Sequence, residues 1–151
     1  MRKEIQTRDL CFSALANGPS SESQNNLRII HTGFLADRSK VASAIGILDL
    51  FVSMSTADTA PLAIAEALAS GVPIACSNVG GMSECTDSGR NGVVLNNLSD
   101  FESFISALST DETLRRSYSE NARKFAKSRY SGSAVAKRYT DLYIDSLKKS
   151  I

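Results

Sequence analysis

Two carboxylates eight positions apart, Asp58 and Glu66, bracket the segment DTAPLAIAE. Everything between them is small, apolar or proline. A carboxylate pair of this kind can accept hydrogen bonds from hydroxyl groups, and charge-assisted bonds are roughly twice as strong as neutral ones. Proline suits the first turn of a helix and glycine its C-terminal cap, so a helix is predicted from about Pro61 to Ser70, capped at Gly71. The first N–H groups of such a helix have no intrahelical partner and favour anions. The chemistry on offer is two acceptors for sugar hydroxyls with an anion site between them. Glu66 sits among Leu62, Ile64, Ala65, Ala67 and Leu68. An acid with apolar neighbours needs a partner or a ligand.

The elements that must position this pair alternate along the chain. LCFSALA (Leu10 to Ala16) reads as a strand ended by the turn Asn17-Gly18-Pro19. SSESQNN follows as a loop or short helix, and LRIIHTG as a strand stopped at Gly33. DRSKVASAIGIL places Val41, Ala44, Ile45 and Leu48 at helical spacing. LDLFVSMS is a nearly unbroken apolar strand, as in parallel sheets covered on both faces. VPIACS and GVVL are further short strands, with GGMSECTD as a short helix between them. Ser99-x-x-Glu102 predicts a capping box opening SDFESFISAL. Two more helices follow, the last carrying Val135, Tyr139, Leu142, Tyr143 and Leu147 on one face. This order predicts an α/β fold, a mostly parallel sheet with helices on both faces, in one unit over residues 1–151. Ligands of open α/β sheets bind beyond the carboxyl ends of the strands. DLFVSMS ends just before Asp58, which puts Asp58 on the ligand side.

The totals narrow the function classes. The chain has 151 residues, 42% hydrophobic and 22% charged, with net charge +1. That balance fits a folded domain and supplies no basic face, so nucleic acid is not an expected partner. No apolar run approaches the ~20 residues of a membrane span. Three cysteines, Cys11, Cys76 and Cys85, lack metal-ligand spacing and read as free thiols in a reducing compartment. A cytoplasmic location is the expectation, with attachment at the inner membrane face as the other option for the charged C-terminal helices.

The stretch DLFVSMSTADTAPLAIAEALASGVPIACSNVGGMSECTDSGRNGVVL resembles the nucleotide-sugar site of retaining glycosyltransferases of the GT-B fold. DTAPLAIAE stands at the family's Glu-x7-Glu motif, SGVP at its Gly-x-Pro, and VGGMSE at its Gly-Gly-x-x-Glu. LRIIHTGFLAD and NARKFAKSRYS…VAKRYTDLY resemble the flanking strand and C-terminal helices, so the likeness runs from about Leu10 to Tyr143. It implies a Rossmann-like domain, the C-terminal half of a GT-B fold, that binds a nucleotide diphosphate sugar without a metal or other cofactor. By resemblance, Asp58 is the catalytic-site acid at the donor sugar and Glu66 holds the ribose. Thr59, Ala60, Pro61 and Leu62 border the sugar and diphosphate, Gly80 and Gly81 lie beside them, and Leu35 is near the base. Glu84 orders the loop after the glycine pair.

The chain departs from the family in three ways. Asp replaces the first glutamate, which shortens its reach by roughly 1.5 Å where reacting geometry tolerates errors of about 1 Å. Thr59-Ala60 replaces a glycine-containing pair. The family's first strand, with the Arg and Lys that neutralise the donor diphosphate, has no counterpart, nor does the N-terminal acceptor domain. Loss of a mid-sheet strand is expected to expose edges or force a new pairing. The resemblance therefore implies the donor domain of a transferase acting on a glycan or lipid-linked glycan acceptor in cell-surface polysaccharide synthesis, partnered by a separate N-terminal half. The competing readings are a non-catalytic nucleotide-sugar-binding or partner-binding remnant and an unrelated flavodoxin-like domain.

Overall fold

Strands form where Ile, Val, Leu and Phe run together between turn residues, and helices where apolar residues recur at three- and four-residue intervals. The computed structural model describes residues 10–14, 22–24 and 27–149. In chain order the elements are β1 (Leu10–Ala14), β2 (Glu22–Gln24), β3 (Leu27–His31), α1 (Arg38–Gly46), β4 (Phe51–Ser53) and α2 (Leu62–Ala69). There follow β5 (Ile74–Ser77), a 3₁₀ segment (Ser83–Gly89), β6 (Gly92–Leu95), α3 (Leu98–Thr110), α4 (Glu112–Tyr130) and α5 (Gly132–Lys149). The fold is α/β and Rossmann-like, with parallel strands flanked by helices.

The chain divides into two compact units, Met1–Ala44 and Ile45–Ile151. In the first, the strand order is β1-β3-β2. β1 runs parallel to β3, with Leu10 opposite Leu27, while β2 is antiparallel, with Glu22 opposite Ile29. The polar run expected as a loop or short helix thus contributes a strand at Glu22–Gln24. An edge strand is held by backbone pairing, so polar side chains do not forbid it. The turn expected at Asn17-Gly18-Pro19 lies outside the described residues.

In the second unit, β4, β5 and β6 are all parallel, with Phe51 opposite Ile74 and Ile74 opposite Gly92. Ile74, Ala75 and Cys76 are fully buried, so the central strand is covered on both faces. Ala75 packs with Leu95 and with Phe104 and Leu108 of α3. Phe104 meets Tyr118 of α4 edge-on at 5.4 Å. α2 buries Ile64, Ala67 and Leu68. Ile64 and Leu68 each contribute about 1.5–3 kcal/mol through removal from water.

One expectation is corrected in the C-terminal helices. α3 opens two residues before the expected box. Asn97 Oδ1 accepts from the Asp100 N–H at 3.0 Å, and Asp100 Oδ2 accepts from the Asn97 N–H at 3.3 Å. Asn and Asp fill the reciprocal roles expected of Ser99 and Glu102, because an amide and a short acid bond a helix start equally well. The apolar stripe of α5 exists but is uncovered: Tyr139, Leu142, Tyr143 and Leu147 are all more than half exposed.

The cap assignment predicts that Asn97→Ala costs about 1 kcal/mol in urea unfolding. Ser99→Ala and Glu102→Ala should each stay within about 0.5 kcal/mol. A larger loss at Ser99 than at Asn97 would contradict this helix start.

Candidate functional site

Past the end of β4 the chain turns through residues 54–61. Ser77 at the end of β5 pins this loop, its Oγ donating to the Ser55 carbonyl at 2.6 Å. Asp58 is half-buried. Its Oδ1 accepts from the Ala60 N–H at 3.0 Å, closing a local Asx turn. Its second oxygen has no partner among the described residues.

The glycine pair is explained by what it touches. Gly80 has φ +53°, and a Cβ there would lie 2.0 Å from the Asp58 carbonyl oxygen. A Cβ on Gly81 would lie 2.6 Å from the Thr59 carbonyl oxygen. Gly81 N–H donates to the Asp58 carbonyl at 3.3 Å. Two loops from the ends of neighbouring strands therefore meet backbone to backbone. Asp58, Thr59, Gly80 and Gly81 are brought together as expected, and Thr59 and Ala60 are exposed.

Immediately after this contact α2 begins. Pro61 is its N-cap in extended conformation, and no side chain caps the first turn. The other helices differ. Asp37 accepts from Ser39 N–H at the start of α1, Asn97 caps α3, Asp111 accepts from Leu114 N–H in α4, and Ser131 accepts from Ala134 N–H in α5. α2 alone among them keeps its first-turn N–H groups free of side-chain acceptors. Leu62 is 66% exposed beside them.

Glu66 is exposed, which corrects the picture of an acid surrounded by apolar side chains. Its sequence neighbours Ile64, Ala67 and Leu68 face the core, while the 3.6-residue period puts Glu66 on the outer face with Leu62. It stands roughly 6 Å along the axis from Leu62. No described residue bonds or pairs with its carboxylate. Leu35 belongs to the first unit, half-buried between β3 and α1, next to the exposed Phe34.

The segment after the glycine pair is fastened to α4. Arg129 Nη2 donates to Glu84 Oε2 at 2.8 Å, so Glu84 does have an ordering partner. Cys85 Sγ and Tyr130 Oη lie 3.3 Å apart. Asn121 Nδ2 donates to the Arg90 carbonyl at 3.1 Å. None of these α4 residues is legible as a site residue, because contacts 31 and 45 positions apart in sequence leave no local pattern. Cys76 and Cys85 are free and buried. Burial pushes the Cys76 thiol up to about 11, and the neighbouring Cys85 adds to the rise. The Tyr130 hydroxyl is raised too, chiefly by burial and then by its bond with Cys85.

No Lys or Arg occurs from Val41 to Gly89. The crevice-forming loops thus offer backbone donors and carboxylate acceptors but no cation. A cavity of about 290 Å³ does gather Arg115, Arg116 and Arg123, but it lies at the opposite, N-terminal ends of the strands, lined also by Leu48, Ser70 and Pro73. All three arginines are already engaged: Arg123 donates to the Ser70 carbonyl at the end of α2, Arg115 to the Leu108 carbonyl near the end of α3, and Arg116 to Glu112 at 3.3 Å. The bare helix start and the open oxygen of Asp58 lie away from this cavity, beyond the carboxyl end of β4. Among the described residues no three His, Cys, Asp or Glu gather as metal ligands, and no helix is long and apolar enough to cross a membrane.

Two predictions follow from this geometry. Gly80→Ala should destabilise by about 1–3 kcal/mol, since it adds left-handed strain to a backbone clash. Gly89→Ala, whose Cβ would meet nothing within 4 Å, should cost less; equal urea midpoints for the two would refute the close approach. Second, folding favours the neutral Cys76 thiol, so its contribution is full below pH 9 and is lost as pH rises toward 11. Stability should fall across that window, and less steeply in Cys76→Ala. An identical slope in the variant would show that Cys76 is not responsible.

The family description "Glycosyl transferases group 1" matches residues 19–125. A D-inositol 3-phosphate glycosyltransferase from Corynebacterium kroppenstedtii is 30% identical over 120 residues, 77% of this chain and 26% of that protein. An N-acetyl-alpha-D-glucosaminyl L-malate synthase from Bacillus anthracis is 27% identical over 117 residues, 76% of this chain and 31% of its own length. The chain therefore spans a quarter to a third of these curated relatives. Among solved structures, a sucrose-phosphate synthase from Thermosynechococcus elongatus aligns with TM-score 0.67 at 21% identity, over 81% of this chain and 31% of that one. Anabaena HepE in complex with UDP gives 0.64 at 22%, over 78% and 32%. The C-terminal domain of a group 1 glycosyl transferase from Francisella tularensis gives 0.59 at 24%, over 69% and 54%. This chain belongs to the group 1 glycosyl transferases and has the fold of the C-terminal half of a GT-B enzyme.

Proposed function

We propose that, as a member of the group 1 glycosyl transferases, this chain forms the donor side of a retaining transferase. The donor is a nucleotide diphosphate sugar, and the sugar goes to a hydroxyl of a glycan or lipid-linked glycan in cell-surface polysaccharide synthesis. The observation that carries this is the uncapped start of α2, set between the Asp58 turn and the glycine pair. Free N–H groups and the helix dipole favour a diphosphate there. The unpaired oxygen of Asp58 faces the donor sugar, with Thr59, Ala60, Pro61 and Leu62 along the sugar and diphosphate. Glu66, unpaired on the outer face, accepts from the ribose hydroxyls. Anabaena HepE, which shares the fold, was solved with UDP and with UDP-glucose, and this supports the donor class.

The cation-free stretch from Val41 to Gly89 favours a second reading for the chain by itself. Without a positive group on the diphosphate, leaving-group charge lacks a stabilisation that is commonly the largest catalytic term. The chain alone then binds donor without transferring it. The other half of the GT-B fold, bringing the acceptor site and cations, completes the enzyme.

Isothermal titration with UDP-, GDP- and ADP-sugars tests the donor assignment. Glu66→Gln keeps the size and removes the charge, and should weaken binding roughly ten-fold, the equivalent of about 1.4 kcal/mol. Asp58→Glu should leave affinity unchanged or raise it. If a donor binds and Glu66→Gln binds it equally well, the ribose role of Glu66 is wrong. The pure chain should transfer no sugar to an acceptor; robust transfer without an added partner would overturn the two-part reading.

A further inference from the structure

We infer that Arg129 and Tyr130, at the C-terminal end of α4, are positioning residues for the Gly80-Gly81 turn of the candidate donor crevice. The inference rests on the donor-site reading for its consequence but on separate contacts for its geometry. The Gly80-Gly81 turn is held on one side by Asp58 and Thr59. On its other side the chain runs through Met82 into the 3₁₀ segment. Adjacent residues of that segment are gripped by adjacent residues of α4: Glu84 by Arg129 at 2.8 Å and Cys85 by Tyr130 at 3.3 Å.

The two gripping side chains are themselves braced. Phe125, one turn earlier on α4, meets the Tyr130 ring edge-on at 5.9 Å, and the Arg129 guanidinium lies 5.8 Å from the same Phe125 ring. Arg138 of α5 donates to the Arg129 carbonyl. Behind the segment, Asn91 is fully buried and its Nδ2 donates to the Cys85 carbonyl at 3.1 Å. The Met82 carbonyl accepts both the Cys85 N–H at 3.0 Å and the Cys76 thiol at 3.5 Å. The bonds to Cys85 and to the Met82 carbonyl fix where those two residues sit, and Gly81 directly precedes Met82 in the chain. The end of α4 thus sets how closely the turn approaches Asp58. An exposed ion pair contributes little to global stability. Its effect belongs in local order, so the readout must be local.

Amide hydrogen exchange on the full chain provides that readout. Arg129→Ala and Tyr130→Phe should each speed exchange of the Gly81 amide roughly three-fold, while core amides of β5 and the urea midpoint stay within error. The double variant Glu84→Arg with Arg129→Glu should restore the slow rate. UDP affinity should fall roughly three-fold in each single variant and recover in the charge swap. Unchanged Gly81 exchange in both single variants would overturn the inference. So would equal acceleration throughout β5 without rescue by the swap, which marks general destabilisation. If the wild-type chain fails to bind UDP, the donor reading fails, and the exchange result still decides the positioning role.

Discussion

The site depends on a backbone-to-backbone contact that no side chain can enter. The Asp58 and Thr59 carbonyls approach Gly80 and Gly81 so closely that a Cβ at either position would overlap them. Such an approach needs glycine for space at both positions and for the left-handed φ at Gly80. Because the loops after β4 and β5 are locked this way, the Asp58 carboxylate, the glycine turn and the start of α2 share one place. Hydrophobic burial of β5 and α2 supplies the rigid frame, and the glycines set the spacing on it.

Local polar chemistry divides the helices. α1, α3, α4 and α5 satisfy their first turns with their own side chains, whereas α2 begins with Pro61 and takes no cap. A bare start beside an exposed carboxylate and one open oxygen of Asp58 is a good arrangement for a ligand carrying both phosphate and hydroxyl groups. The contrast inside one chain makes the anion side of the account stronger than a single helix start would.

Much of this was legible in the sequence because it is written in local patterns. The helix from Pro61, its Gly71 end, the strand at VPIACS and the place of Asp58 just past the end of β4 follow from period, breakers and order. Three features were not. Glu22–Gln24 is a strand because of its pairing with β3, which polar residues do not announce. Glu66 has apolar neighbours in sequence, but the helical period turns Ile64, Ala67 and Leu68 to the core and Glu66 to the outer face. Arg129 and Tyr130 reach Glu84 and Cys85 only through the packing of α4, and a charged helix reads as solvated until its neighbours are known.

The central claim is that a nucleoside diphosphate seats on the bare start of α2 beside the glycine turn. Amide chemical-shift mapping of the full chain during titration with UDP tests it most directly. The account predicts the largest shifts at Leu62, Ala63, Ile64, Gly80 and Gly81. Shifts concentrated instead at Gly71, Arg115 and Arg123, around the arginine-lined cavity at the other end of the strands, would contradict it.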